Sequence, residues 1–211
     1  MFGKDAAQAI DLEAKPAMMS LVNVEYVAYA INYISTLCAD KLLAVISWSQ
    51  DDLSTQWALK YWPSTRAVVK DFIAISTVFH GTVVRLLVCP SLDLVLCTPS
   101  LWQQGWNTEY IRTLRGDGGD AAYVPTTTVY STFDEIGQPM SGPNASAILG
   151  DVRRVGVTNV ISSLSAGAHA GAGFEGSVGT ESLLLIAVAG LVLYKPQALG
   201  APPNMDYASL E

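Results

Sequence analysis

The apolar run Leu42-Leu43-Ala44-Val45-Ile46 stops at Ser47-Trp48-Ser49-Gln50, and a helical pattern begins at once. No other stretch constrains the fold as much. A short continuous apolar run suits a strand covered on both faces, as in a parallel sheet. The helix is expected to start at about Asp51 or Asp52 and to carry Leu53, Trp57, Leu59 and Tyr61. Pro63 closes it, because proline disfavours helical backbone in the residue before it. Strand, sharp turn and helix in direct succession call for a layered α/β sheet.

The rest of the chain agrees. From Ser20 to Leu37 apolar residues recur at helical spacing, through Leu21, Val24, Val27, Ala30, Ile31, Ile34 and Leu37. Phe72 to Ser76, Val124 to Thr132 and Val155 to Ile161 read as further strands. Residues 80 to 123 read as helix and loop, punctuated by Pro90, Pro99 and the Gly116-to-Gly119 turn. Glu181 to Leu193 reads as an apolar helix packed in the core. Neither a linker nor a useful repeat divides the chain. The expectation is one α/β domain over residues 1–211, with residues 1–19 loosely ordered and 196–211 an irregular tail.

Composition narrows the function. Half of the 211 residues are apolar and 15% are charged, as in a globular domain. A net charge of −7, with twelve scattered basic residues, argues against a nucleic-acid partner. Cys38, Cys89 and Cys97 do not form a disulfide framework, and two histidines without metal-ligand spacing predict no metal site. No basic region followed by an apolar stretch marks the start as a secretory signal. The longest apolar run, Leu183 to Tyr194, is too short to span a bilayer as a helix.

Acyl transfer by a serine needs an exposed hydroxyl, an imidazole to take its proton and a carboxylate to orient the imidazole. On α/β sheets the serine sits on a strained strand-to-helix turn, and the acid and then the histidine follow on later loops. Ser49 occupies such a turn, Asp134 follows the strand ending near Thr132, and His169 follows the next strand. All three fall where strands end, as sites in open α/β sheets do. Each has another reading: Ser49 as a helix N-cap, Asp134 as a turn residue, His169 as an exposed loop histidine. His80 competes as the base, because it too follows a strand.

At these positions the chain resembles the fungal lipase B family of α/β-hydrolases. Val22-Asn23-Val24-Glu25-Tyr26 is similar to the family's Val-Asn-Thr-Glu-Tyr helix, and Ser47-Trp48-Ser49-Gln50 to its Thr-Trp-Ser-Gln elbow, with Gln56-Trp57 continuing the match. His80-Gly81-Thr82-Val83 aligns with Lys-Gly-Thr-Val, which implies that His80 is not the base. Pro99 to Gln104, Val124-Pro125-Thr126-Thr127, Asp134-Glu135-Ile136 with Gln138-Pro139, and His169-Ala170-Gly171 extend the likeness from about Leu21 to Gly171. The resemblance implies an ester hydrolase acting on lipids or small esters without metal or cofactor. Ser49 is then the nucleophile, His169 the base and Asp134 its orienting acid. The Gln50 N–H supplies an oxyanion donor and Gln138 lines the site. Secretion is likewise implied by the family.

The chain also departs from the pattern. Asp51 stands where the family has glycine. At an assumed separation of about 7 Å and an effective dielectric near ~20, its charge opposes an oxyanion by about 2 kcal/mol, a rate loss of roughly 30-fold. Nothing in residues 1–19 resembles the family's Pro-Gly-Thr-Gly oxyanion loop or the strands around it. An N-terminally shortened sheet with an exposed, self-associating edge is therefore expected, along with impaired turnover. Ala168 replaces an acidic residue, and the family's disulfide cysteines have no counterparts.

Overall fold

The computed structural model describes residues 17–38, 42–84 and 99–162. Beyond Ser162, which ends a strand, the expected loop to Gly173 with His169, the Glu181–Leu193 helix and the 196–211 tail lie outside the described residues, as do Cys89 and Cys97.

The chain enters as helix α1 (Ala17–Leu37). The helix starts three residues ahead of the expected Ser20, so residues 17–19 are helical rather than loose. Ala17-Met18-Met19 are good helix formers and extend the period of the next turns. Strand β1 (Leu43–Trp48) runs into the turn at Ser49 and helix α2 (Gln50–Tyr61). Pro63 ends α2 and opens the short helix α3 (Pro63–Val68), where its fixed φ suits a first helical position. Strand β2 (Val69–Ile75) follows, then α4 (Pro99–Gln103), α5 (Glu109–Arg115), β3 (Thr126–Ser131) and β4 (Val157–Ser162).

The four strands form one parallel sheet in the order β1-β2-β3-β4. Chain order and sheet order coincide, so the loops leaving the strands all emerge at one end. Among the described residues β1 and β4 are the edges. β1 is therefore half-covered, with Ala44 and Trp48 exposed, and not buried on both faces as its apolar run suggests. Burial on β2 and β3 is more complete, with Phe72, Ala74 and Thr128 inaccessible to solvent.

One core joins α1, α2, α5 and the sheet. Val24, Val27, Ala28 and Ile31 of α1 meet Leu53, Trp57, Ala58 and Leu59 of α2 and Phe72 of β2. Trp57 stacks on Tyr110 of α5 with ring centroids 4.5 Å apart. α2 is buried nearly all round, including its polar residues Ser54, Thr55, Gln56 and Lys60. Polar groups in such a place must find partners. The Gln56 amide donates to the carbonyls of Gly119 and Ala121. Lys60 Nζ donates to the carbonyls of Thr113, Leu114 and Gly116, the loose end of α5. A buried helix is thus held by side chains that reach its neighbours' backbone, and its first turn is fixed against the sheet. No described helix is long and apolar enough to cross a membrane.

Candidate functional site

Ser49 is the hinge between β1 and α2. Its backbone has φ 57° and ψ −117°, a conformation that L-residues other than glycine rarely adopt. The turn is held from β2, for Ser49 N donates to Ile75 O at 2.9 Å. Ser49 occupies the N-cap position, yet its hydroxyl makes no cap bond to the helix. The N-cap reading therefore does not account for this serine. Strain is concentrated at one residue, held from β2, at the strand-to-helix turn where serine nucleophiles sit in α/β sheets.

Gln50 is the first residue of α2, so its N–H is one of the helix's unpaired donors at the positive end of the dipole. Its side chain is fixed as well, with Gln104 Nε2 donating to Gln50 Oε1 at 2.9 Å. Gln104 follows α4, 54 residues away in sequence. Sequence reading did not single it out.

Asp134 lies just past β3 and is completely buried. Its Oδ1 accepts N–H groups from Ile136 at 2.8 Å and Gly137 at 2.7 Å. The turn-residue reading is thus partly met, because the carboxylate does build its own loop. Complete burial is more than a turn needs. Gln138 donates back to the Asp134 carbonyl, and its own carbonyl accepts Val83 N at 3.0 Å. Thr82 ties the same loop down by donating to Ile136 O at 2.5 Å. The His80-to-Val83 segment therefore braces the loop that holds Asp134 and Gln138.

β1 and β3 flank β2, so their axes lie roughly 10 Å apart at the usual strand spacing. Ser49 and Asp134 therefore stand at the same end of the sheet, past β1 and β3 on either side of β2. His169 lies outside the described residues. The chain leads toward it from β4, which neighbours β3.

His80 is engaged elsewhere. Its Nε2 lies 3.7 Å from Asp120 Oδ1, and Asp120 is itself clasped by Arg115 at 2.7 and 3.1 Å. Burial lowers the imidazole's proton affinity, and the Arg115 charge lowers it further against the pull of Asp120. Among the described residues no group of His, Cys, Asp or Glu side chains could hold a metal ion.

The two acids after Ser49 differ. Asp51 is partly exposed, and burial raises its carboxyl above the usual range. Asp52 is fully buried, with Ser47 Oγ donating to its Oδ1. Sequence reading took up the charge of Asp51 and passed over Asp52.

No family model matches the chain. Lipase B of Pseudozyma antarctica is similar to it, with 36% identity over 152 residues, 71% of this chain and 44% of that protein. The crystal structure of Aspergillus fumigatus lipase B superposes with a TM-score of 0.63 at 72% identity, covering 67% of this chain and 34% of that one. The chain spans less than half the length of either. Both likenesses agree with the parallel, helix-flanked sheet of an α/β-hydrolase.

Proposed function

The chain belongs, over the stretch it shares with these proteins, to the fungal lipase B family, and from that premise we propose that it is a carboxylic ester hydrolase of the lipase/esterase type, with Ser49, His169 and Asp134 as its triad. The observation that carries the proposal is the Ser49 backbone. A serine in a strained, positive-φ turn between a parallel strand and a buried helix, with a hydroxyl that does not cap the helix, costs stability. Nucleophile presentation accounts for that cost.

In this mechanism Ser49 Oγ attacks the ester carbonyl carbon while its proton passes to His169. The oxyanion is met by the Gln50 N–H at the start of α2. Collapse of the tetrahedral intermediate expels the alcohol oxygen, which takes the proton from His169, and leaves the acyl group on Ser49. Water then repeats the sequence and releases the acid. Asp134, held by Ile136 and Gly137, orients the imidazole, and Gln138 lines the site. The substrates are lipids or small esters, met outside the cell as secretion in such a family implies.

A second reading, an impaired relative, is favoured by Asp51 at the first turn of α2, whose charge opposes the oxyanion. A fluorophosphonate probe and p-nitrophenyl ester turnover separate the readings. Labelling that disappears in Ser49→Ala, with measurable turnover, supports the hydrolase. Labelling without turnover supports the impaired relative. Absence of labelling, or labelling that survives Ser49→Ala, refutes the triad.

A further inference from the structure

Asp52 is out of place for an acid in the first turn of a helix. Such residues normally face water and gain about 0.3–1 kcal/mol from the dipole. Asp52 instead points inward with no solvent exposure, between the elbow and the sheet. Ser47, the second-last residue of β1 and also buried, donates its hydroxyl to Oδ1. Asp52 N in turn donates to Ser49 O at 3.2 Å. The carboxyl therefore ties the strand before Ser49 to the helix after it. Oδ2 and the neighbouring buried Thr77 Oγ1 lack partners of normal bonding geometry.

A buried carboxylate without a cation is costly, and neutral hydroxyls do not repay the loss of hydration. No lysine, arginine or histidine bears on Asp52 among the described residues. From its own helix the charged neighbour is Asp51. From β1 comes the Ser47 hydroxyl, and from the segment after β2 the Thr77 hydroxyl.

We propose that Asp52 is a positioning residue that works in its neutral, protonated form, joining β1 to α2 through Ser47 to hold Ser49 in its strained backbone, and that loss of its proton disarms Ser49. The proposal rests on the hydrolase reading of Ser49. Burial pushes the Asp52 carboxyl well above the ordinary carboxylate range, and Asp51 adds to this against the Ser47 and Thr77 hydroxyls and the Ser49 backbone. A proton on Oδ2 can be donated to Thr77 Oγ1, which gives both orphan atoms a partner. Ionisation would place a charge under the turn whose N–H groups meet the oxyanion. Water would have to enter to solvate it.

The effect has the opposite sign to that of the catalytic base. His169 must be neutral, so its titration raises activity with pH. Loss of the Asp52 proton lowers activity with pH, giving an alkaline limb. Asp52→Asn keeps a neutral partner for Ser47 without an ionisable proton.

The test uses the full chain. Rates of Ser49 phosphonylation and ester turnover are measured across pH for the wild type, Asp52→Asn and Asp52→Ala. Infrared difference spectra at neutral pH, wild type against Asp52→Asn, look for the carbonyl stretch of a protonated carboxylic acid. The wild type is expected to lose activity about tenfold or more on the alkaline side. Asp52→Asn stays within a few-fold of wild type at neutral pH and lacks the limb. Asp52→Ala, if it folds, is slow at every pH. The same alkaline limb in Asp52→Asn overturns the proposal, and so does a spectrum without the protonated band. If the wild type is not labelled at any pH, the hydrolase reading itself has failed. The infrared band then still decides whether Asp52 holds its proton.

Discussion

Replacing Ser49 by glycine should make the protein more stable while abolishing its chemistry. A non-glycine residue in a sparsely populated backbone region costs about 1–3 kcal/mol, and Ser49 sits there with φ 57° and ψ −117°. Glycine adopts such angles freely. It also loosens the unfolded chain, which takes back roughly 0.4–1 kcal/mol. The Ser49 hydroxyl makes no cap bond to α2, so that contribution is not at stake. The net expectation is a gain of about 1 kcal/mol, or a rise in Tm of roughly 2–4 °C for a chain of this length. Ser49→Ala is the control, for it removes the hydroxyl and keeps the strain. Urea unfolding of both variants, with fluorophosphonate labelling alongside, isolates the backbone term. Both should lose labelling, and only the glycine variant should move its midpoint upward. A glycine variant no more stable than the alanine variant would show that the turn stores no strain. The main support for a nucleophilic Ser49 would go with it.

Two further outcomes test the frame around the site. Lys60→Met should destabilise the protein by about 3 kcal/mol, because the ammonium satisfies three carbonyls at the end of α5 from a buried position; a urea midpoint within ~0.5 kcal/mol of wild type would contradict that. Gly81→Ala should cost at least about 2 kcal/mol, since its φ is +79° and an added Cβ would lie 2.5 Å from Trp106 Cα and 2.9 Å from Gln104 O. Because Thr82 braces the Asp134 loop, the same variant should slow labelling of Ser49, and stability and labelling both at wild-type levels would count against the bracing role.

What could be read from sequence was local. The apolar run ending at Ser47 and the helix closed by Pro63 marked the elbow within a residue or two, because an abrupt change of period needs no long-range information. Thr, Val and Tyr around residues 126–131 announced β3 for the same reason. The unread features arise from tertiary contact. β1 is apolar from Leu43 to Ile46, yet among the described residues it is an edge, and nothing in that run distinguishes an edge from a centre. Gln104 reaches Gln50 from 54 residues away. Lys60 finds its partners in the carbonyls at the end of α5, more than fifty residues on.

The paired acids after Ser49 carry the sharpest form of this lesson. As letters they are equivalent, two aspartates in the first turn of α2, and the dipole rule assigns both the same mild benefit. Packing separates them. Asp51 keeps contact with water and retains the means to ionise, so it is the residue whose charge can oppose an oxyanion at Gln50. Asp52 faces the sheet, where ionisation has no counterion to balance it among the described residues. Counting both as charges would roughly double the repulsion to about 4 kcal/mol, a slowing of roughly a thousand-fold. With Asp52 neutral, a single and partly screened charge remains, which slows the reaction without forbidding it. Whether these two acids disable the site or only tune its pH range therefore turns on one buried proton, and the Asp52→Asn profile reads that proton directly.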